Sequence, residues 1–382
     1  MPLLSAPDPR QSVELLLIQP TPFCNINCRY CYLHHRARKA RMSEDVIAAI
    51  AGNIVAGPLV ADEFSLCWHG GEPLSVPISW YEHACDLLES AVPTGRRLVQ
   101  HVQTNAMLID DEWIKFFPRY GWRIGVSIDG PRHIHDANRV DRRGEGSFNQ
   151  TIRGIERLRE ARVPFDVIAV LTAGSLDEPD ALFDFFLSLG VRSLGFNIDE
   201  IEGPHQSSSL AGADAASRLK QFLLRFFARH AEAGEPFLLR PLEQLRAAVA
   251  GRHRREGLAF NDQIEPLAIV VVSVDGAMST FSPELIGNPN TEFGNFVFGN
   301  VRDGGPEIML SNRHLLDLRR RIERGCRRCA KSCGYYDLCL GGAPGNKYFE
   351  TGRFDVDETL YCRLSVKTMI EASLLHLESL IH

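Results

Sequence analysis

Pro22-Phe23-Cys24-Asn25-Ile26-Asn27-Cys28-Arg29-Tyr30-Cys31-Tyr32 carries three cysteines at a C-x3-C-x2-C spacing. An apolar run, Val13-Glu14-Leu15-Leu16-Leu17-Ile18, precedes it and reads as a buried strand over 13–19. A loop leaving a strand end can aim three thiolates at one centre. Iron–sulfur clusters are normally held by four cysteines, so a three-cysteine site leaves one iron open to a small molecule. A structural zinc site completed by His34 or His35 is the competing reading, because zinc also accepts closely spaced cysteine pairs.

Outward from that loop, strand-like and helix-like segments alternate as far as residue 200. Strands are expected at 13–19, 64–69, 97–104, 122–128, 165–171 and 193–198. Amphipathic segments near 43–57, 77–91, 110–118, 148–161 and 178–190 fall between them. Ser43 before Asp45 and Val46 reads as a helix start, Asp110-Asp111 puts acid at a helix N-terminus, and Gly190 reads as a helix stop. Strands alternating with helices imply a parallel sheet. Six such units predict an α/β fold, a partial (β/α)6 barrel of TIM type, with ligands gathered at the carboxyl ends of the strands.

The polar and glycine-rich stretches fall at those ends. His69-Gly70-Gly71-Glu72-Pro73 follows the second strand, and its two glycines let backbone approach a ligand. His69 is expected to orient that loop. Gln103-Thr104-Asn105 ends the third strand with side chains able to hydrogen-bond ribose hydroxyls. Ser127-Ile128-Asp129-Gly130-Pro131 ends the fourth; Asp129 there also suits a turn before Gly-Pro. His135-Asp136-Ala137-Asn138-Arg139 follows, in a loop that also carries Arg132, Arg142 and Arg143. The sixth strand runs into Phe196-Asn197-Ile198-Asp199-Glu200-Ile201-Glu202-Gly203-Pro204-His205, a dense set of acids, then into a Ser-rich connector at 206–209.

These pieces together resemble the radical S-adenosylmethionine (SAM) enzymes. In that family, an open iron chelates SAM and an electron from the cluster splits it to a 5′-deoxyadenosyl radical. The resemblance implies cluster ligands Cys24, Cys28 and Cys31, with Tyr30 as the aromatic before the third cysteine. It implies SAM contacts from Gly70, Gly71 and Glu72 (the methionine amino group), from Gln103, Asn105, Ser127 and Asp129, and from Arg139, a partner for the SAM carboxylate through paired hydrogen bonds.

Residues 213–250 read as two helices, and Arg252-His253-Arg254-Arg255 as a solvated helix end. A small β unit follows: a strand at 267–272, a turn at Asp275-Gly276, and a second strand and turn over 294–300. A helix near 311–323 leads into Cys326, Cys329, Cys333 and Cys339; Cys362 follows, and a helix over 364–381 closes the chain. The order resembles the SPASM extension of radical SAM enzymes, which usually holds two auxiliary clusters. Here Thr280-Phe281-Ser282-Pro283-Glu284 stands where a ligand cysteine is usual, and Ala343 stands at another such place. One auxiliary [4Fe-4S] cluster is therefore expected, on Cys329, Cys333, Cys339 and Cys362, with Cys326 as an alternative ligand and zinc as the competing metal. The expected division is 1–205 barrel, 206–262 helical bridge and 263–382 extension.

Composition narrows the classes. The 382 residues are 45% apolar, enough for a large core without staples. The net charge of −6 and the lack of a basic block argue against nucleic acid as a partner. No apolar run reaches 18 residues and no signal segment opens the chain, so a cytoplasmic protein with no membrane contact is expected. Eight of ten cysteines fall in the two clusters; Cys67 and Cys85 stand apart as small buried hydrophobes. Clustered cysteines in such a chain favour metal sites over disulfides.

Closer still, Cys339-Leu340-Gly341-Gly342-Ala343-Pro344-Gly345-Asn346-Lys347 and the stretches at 196–200 and 280–284 resemble cyclophane-forming maturases of the GrrM, XyeB and FxsB type. The resemblance implies a ribosomally made precursor peptide as substrate, a flavodoxin or ferredoxin as electron donor, and a bond from an aromatic ring carbon to the β-carbon of a nearby residue. Glu200 or Glu284 would take the ring proton and the auxiliary cluster the electron. With about a dozen residues before the first strand, leader binding is expected on the barrel–extension surface or a separate protein. Thioether or formylglycine formation, and a non-enzymatic iron–sulfur or zinc module, are the other readings.

Overall fold

The strand Phe165–Leu171 shows how the sheet is made. Phe165, Val167, Ala169 and Leu171 are buried, and they alternate with half-buried Asp166, Ile168 and Val170. Successive side chains of a strand point to opposite faces, so one set packs under helices and the other faces the barrel interior. A computed structural model of the chain describes residues 12–250, 254, 255 and 258–380. In it, six strands lie side by side in chain order and all parallel: β1 (Val13–Ile18), β2 (Val60–Trp68), β3 (Arg97–Thr104), β4 (Arg123–Ser127), β5 (Phe165–Leu171) and β6 (Ser193–Ile198).

Helices α1 (Glu44–Ile50), α2 (Ile78–Ala91), α3 (Asp111–Arg119), α4 (Arg132–Asn138), α5 (Phe148–Glu160) and α6 (Pro179–Leu189) fall between the strands. Asp110 caps α3, its carboxylate accepting from the backbone N–H of Glu112 and Trp113 at 3.0 Å each, a contact worth about 1 kcal/mol. Gly190 ends α6 in the left-handed conformation that a helix stop favours. The segment expected as a basic loop forms α4 instead, because Ile134 and His135 turn inward and are buried. Beneath β2, Trp68, Tyr81 and Trp122 meet in stacked and edge-on pairs with centroids 5.1 to 5.9 Å apart, which anchors the strand whose end carries His69.

The C-terminal region is continuous with the barrel. Ile269–Val272 lies parallel to β1 on the open edge, Ala277–Thr280 pairs antiparallel beyond it, and Gly299–Asn300 beyond that. Leu238–Leu239 extends the other edge beside β6. Among the described residues this makes one sheet of ten strands. The bridge forms helices Ala215–Glu232 and Arg240–Val249. Of the basic run at 252–255, Arg252 and His253 lie outside the described residues.

Two expectations for the C-terminal region are corrected. The strand expected over 294–300 shrinks to Gly299–Asn300, because Gly294, Asn295 and Phe296 take left-handed angles and Asn290 caps the turn before them. The helix expected at 311–323 runs from Arg313 to Ser332, so Cys326 and Cys329 sit on it one turn apart rather than in a loop. Among the described residues, no helix is long and apolar enough to cross a membrane.

Candidate active site

The cysteine loop is held from outside by backbone and arginine. Asn27 and Arg29 donate their N–H groups to the carbonyls of Val140 and Asn138 at 2.7 and 3.0 Å. Arg36 Nη1 donates to the Cys28 carbonyl at 3.1 Å and Arg142 Nε to the Cys24 carbonyl at 2.8 Å. The side chains are thereby left to face inward. Burial pushes the Cys24 thiol well up and the Cys28 thiol up to about 11, so a metal must offset that cost to hold them as thiolates.

The Gly-Gly-Glu turn seats on the entry to that loop. Gly71 has a left-handed φ of +64°, and a Cβ there would lie 2.5 Å from the carbonyl oxygens of Thr21 and Phe23. Any side chain would force the two loops apart. Glu72 N–H donates to the Phe23 carbonyl at 2.7 Å. Its buried carboxylate accepts from Leu74 N–H at 3.0 Å, Thr104 Oγ1 at 2.7 Å and Asn105 N–H at 2.9 Å. Burial pushes this carboxyl up to about 7 against the pull of those donors. Asn105 Nδ2 in turn donates to Asn25 Oδ1 at 2.7 Å, tying the end of β3 to the cysteine loop.

A cavity of about 370 Å³ opens at the carboxyl ends of the strands. Cys24, Cys28, Cys31, Tyr30, Gly70, Gly71, Glu72, Gln103, Asn105, Ser127 and Arg139 all line it, as do Glu200 and Glu284. Gln103 Nε2 donates to Ser127 Oγ at 2.8 Å. Asp129, expected at the cofactor, is off the lining and 1% exposed. It instead holds the residues that are there: Arg139 Nη2 at 3.0 Å, Val170 N–H at 3.0 Å, and the Tyr30 hydroxyl. Arg139 is buried, lies over the Tyr30 ring at 5.5 Å, and keeps a buried Nε with no hydrogen-bond partner.

That orphaned donor, the glycine cradle and three inward thiols fit an iron–sulfur cluster carrying SAM: the thiols would hold three irons, and Arg139 would meet an anionic group of the ligand. Against the zinc reading, His34 Nε2 is spent on Asn288 Oδ1 at 2.9 Å. Among the described residues, no three His, Cys, Asp or Glu side chains are close enough to grip one ion directly; thiolates of a cluster stand on separate irons and need not converge so tightly.

Another wall is acidic. Asn346 Nδ2 donates to Glu200 Oε2 at 2.7 Å and Glu202 Oε1 at 2.9 Å. Burial pushes Glu200 up to about 7, and burial together with Glu284 and Glu200 pushes Glu202 well up; Glu284 is raised by burial too. Gly203, at φ +54°, lets this loop touch the cysteine loop: a Cβ there would lie 2.3 Å from the Tyr32 carbonyl oxygen. Tyr32 Oη and His69 Nε2 are 2.8 Å apart, and burial holds the His69 ring down to about 4, neutral near pH 7. His69, Gly70, Tyr32 and Glu284 also line an adjoining cavity of about 210 Å³. Sequence reasoning missed Glu202 and Asn346 as wall residues; they are 144 positions apart, Glu202 in a loop and Asn346 in the first turn of a helix over Pro344–Thr351, and no local pattern pairs them.

The five C-terminal cysteines stand within electrostatic reach of one another. Cys329 and Cys339 raise the Cys326 thiol, and Cys333 and Cys339 raise Cys362, after burial. Cys326 packs against Gly341, and Lys347 Nζ, 5% exposed as a residue, lies 3.6 Å from Cys329 Sγ. Five clustered thiols, Cys329 buried and the other four half-buried, near a buried ammonium are a donor set suited to an anionic metal cluster.

Comparison with known proteins now adds to the geometry. Residues 18–198 match the family model described as the radical SAM superfamily. The Synechocystis sp. (strain PCC 6803) protein sll1766 is 36% identical over 362 residues, covering 94% of this chain and 90% of that protein. The chain belongs to the radical SAM superfamily. It is a radical SAM enzyme that uses SAM and iron–sulfur chemistry. The serine-type anaerobic sulfatase-maturating enzyme of Klebsiella aerogenes is 31% identical over 61% of this chain, which spans only 59% of that enzyme's length. Among solved structures, native anSMEcpe with bound AdoMet and Cp18Cys peptide has the same fold, with a TM-score of 0.74 at 20% identity over 96% of this chain and 98% of that one. Streptococcus suis SuiB bound to precursor peptide SuiA follows, with a TM-score of 0.65 at 16% identity over 92% and 76%. The α/β fold with a parallel sheet is shared with them.

Proposed function

We propose that this radical SAM enzyme modifies a peptide, and that its product is a carbon–carbon crosslink between an aromatic ring carbon and the β-carbon of a nearby residue. One observation carries the reading: a single cavity is lined both by Cys24, Cys28 and Cys31 and by Glu200, Glu202 and Glu284. The names of its relatives support a peptide substrate, since two of the structures with this fold hold peptides.

When bound, the first cluster with SAM supplies a 5′-deoxyadenosyl radical that abstracts hydrogen, and a second cluster supplies an electron sink. The residues do the rest. Cys24, Cys28 and Cys31 would hold the first cluster; Cys329, Cys333, Cys339 and Cys362 would hold the second, with Cys326 in reserve. Arg139 orients an anionic group of SAM, and Asp129 keeps that guanidinium fixed. Gly70, Gly71, Gln103, Asn105 and Ser127 line the remainder of the cofactor's space. Glu200, poised near pH 7, or Glu284 accepts the proton that a ring must lose to regain aromaticity. An external one-electron donor of flavodoxin or ferredoxin type is the expected partner.

Anaerobic reaction with SAM, reductant and the adjacent-gene precursor tests this. The expected product is 5′-deoxyadenosine together with a peptide lighter by two hydrogens that does not react with hydrazide. A hydrazide-reactive aldehyde would indicate formylglycine, and an unchanged peptide with no 5′-deoxyadenosine would refute the whole reading.

A further inference from the structure

Three carboxylates line the same cavity as the cysteine loop, yet a proton acceptor needs only one. Each buried carboxylate costs free energy unless something compensates it. Around the cysteine loop the carboxylates are matched: Asp129, just behind the lining, has Arg139 at 3.0 Å, and Glu72 has three donors. On the acidic wall, Asn346 bridges Glu200 and Glu202, which also lie within hydrogen-bonding reach of each other. Among the described residues, no lysine or arginine forms an ion pair with Glu200, Glu202 or Glu284.

A second, independent feature points the same way. Ser282 is 6% exposed, lines this cavity, and its buried Oγ has no hydrogen-bond partner of good geometry. Gly345 keeps the space beside it open, since a Cβ there would lie 2.9 Å from that oxygen. Tyr361 adds an aromatic ring to the same wall. The wall therefore offers acceptors and a π face, and what it lacks is a donor carrying positive charge. Among the described residues, no three His, Cys, Asp or Glu side chains are placed to hold one metal ion, and a row of acceptors beside an aromatic ring suits an organic cation with several N–H groups.

We propose that Glu200, Glu202, Glu284 and Ser282 form a receptor for a cationic side chain of the peptide substrate, the ammonium of a lysine or the guanidinium of an arginine. The inference rests on the peptide-modifying reading and names the class of residue that enters the site. Binding the cation would place the neighbouring peptide positions against the cofactor wall and leave the carboxylates ionised.

Calorimetric titration of the cluster-loaded enzyme with SAM tests it, using Nα-acetyl-lysine methylamide and its uncharged norleucine counterpart as probes. The lysine probe should bind one to one and at least about tenfold more tightly than the norleucine probe. Glu202→Gln and Ser282→Ala should shrink that ratio, the first more than the second. Equal affinities, no binding of the lysine probe at tens of millimolar, or a calcium ion bound at the same stoichiometry with no preference between probes would each overturn it. 5′-Deoxyadenosine is measured in the same samples. Cleavage of SAM without cation preference sinks this inference alone, whereas cation preference without cleavage sinks the functional reading and leaves the receptor standing.

Discussion

On one side of the cavity Arg139 meets Asp129 at 3.0 Å and Glu72 accepts three hydrogen bonds; on the other, Glu200 and Glu202 share one asparagine and Glu284 adds a third carboxylate. Both walls are charged; Glu72, Asp129 and Arg139 are buried, while Glu200, Glu202 and Glu284 are half-buried against the cavity. The first is complete except for one guanidinium nitrogen, as suits a cofactor of fixed shape. The second is left short of positive charge, as suits a partner that arrives and leaves. A cavity can thus hold two ligands of different permanence by finishing the electrostatics of one wall and leaving the other unfinished.

The largest effect tests the finished wall. Cys24→Ala should abolish 5′-deoxyadenosine formation, with a loss of on the order of a thousandfold or more, and should remove the iron of one cluster while sparing the other. Iron analysis beside product assay checks both halves. Arg139→Gln keeps the volume and loses the charge. It should weaken SAM binding by about 10- to 100-fold, in line with a charged hydrogen bond worth about 1.5–3 kcal/mol, with the cluster still in place. An unchanged SAM affinity would show that the orphaned nitrogen serves only the fold.

Stability against pH probes the unfinished wall. Glu200 titrates at about 7 in the folded protein against an ordinary 4.5. Its folded pKa is raised, so its stabilising contribution is complete below about 4.5 and is lost as pH rises through about 7. Glu200→Gln should remove that dependence, making the variant the more stable above pH 7 by on the order of 2 kcal/mol. Denaturant titrations of the metal-free protein at pH 5 and pH 8 measure it, and the comparison cancels contributions common to both proteins, such as those of Glu72 and His69. A variant that loses stability equally at both values would refute the uncompensated wall.

The smallest effect concerns the C-terminal cysteines, where Lys347 plays the compensating part. Lys347→Met should leave folding intact and move the reduction potential of the cluster held there in the negative direction, because a nearby ammonium favours the more negatively charged reduced state. Lys347→Arg should restore most of the difference. Potentiometry followed by electron paramagnetic resonance reads both.

Much of the barrel was legible because its signals are local. A strand such as Phe165–Leu171 shows its period in seven residues, and Asp110 and Gly190 mark helix ends by their own chemistry. The cysteine loop was legible for the same reason, since three cysteines fall within eight positions. The extension was harder. Phe296-Val297-Phe298 has the composition of a strand, but left-handed angles at Gly294, Asn295 and Phe296 take the chain out of the sheet. Asp129 reads as a ligand from its place at a strand end, and only the fold shows that Tyr30, Arg139 and Val170 claim its oxygens. The acidic wall joins loops at 200–202 and 282–284 to the first turn of a helix at Asn346, and no local pattern announces a meeting of that kind.

The most direct measurement is the electron paramagnetic resonance spectrum of the reduced, anaerobically reconstituted enzyme bearing Cys329→Ala and Cys333→Ala, so that only the amino-terminal cluster contributes. Adding SAM should change the g-values, and nitrogen-15 in the SAM amino group should appear as a hyperfine coupling. Spectra identical with and without SAM would mean that no iron of the Cys24–Cys28–Cys31 cluster is open to it, and the account would be wrong at its root.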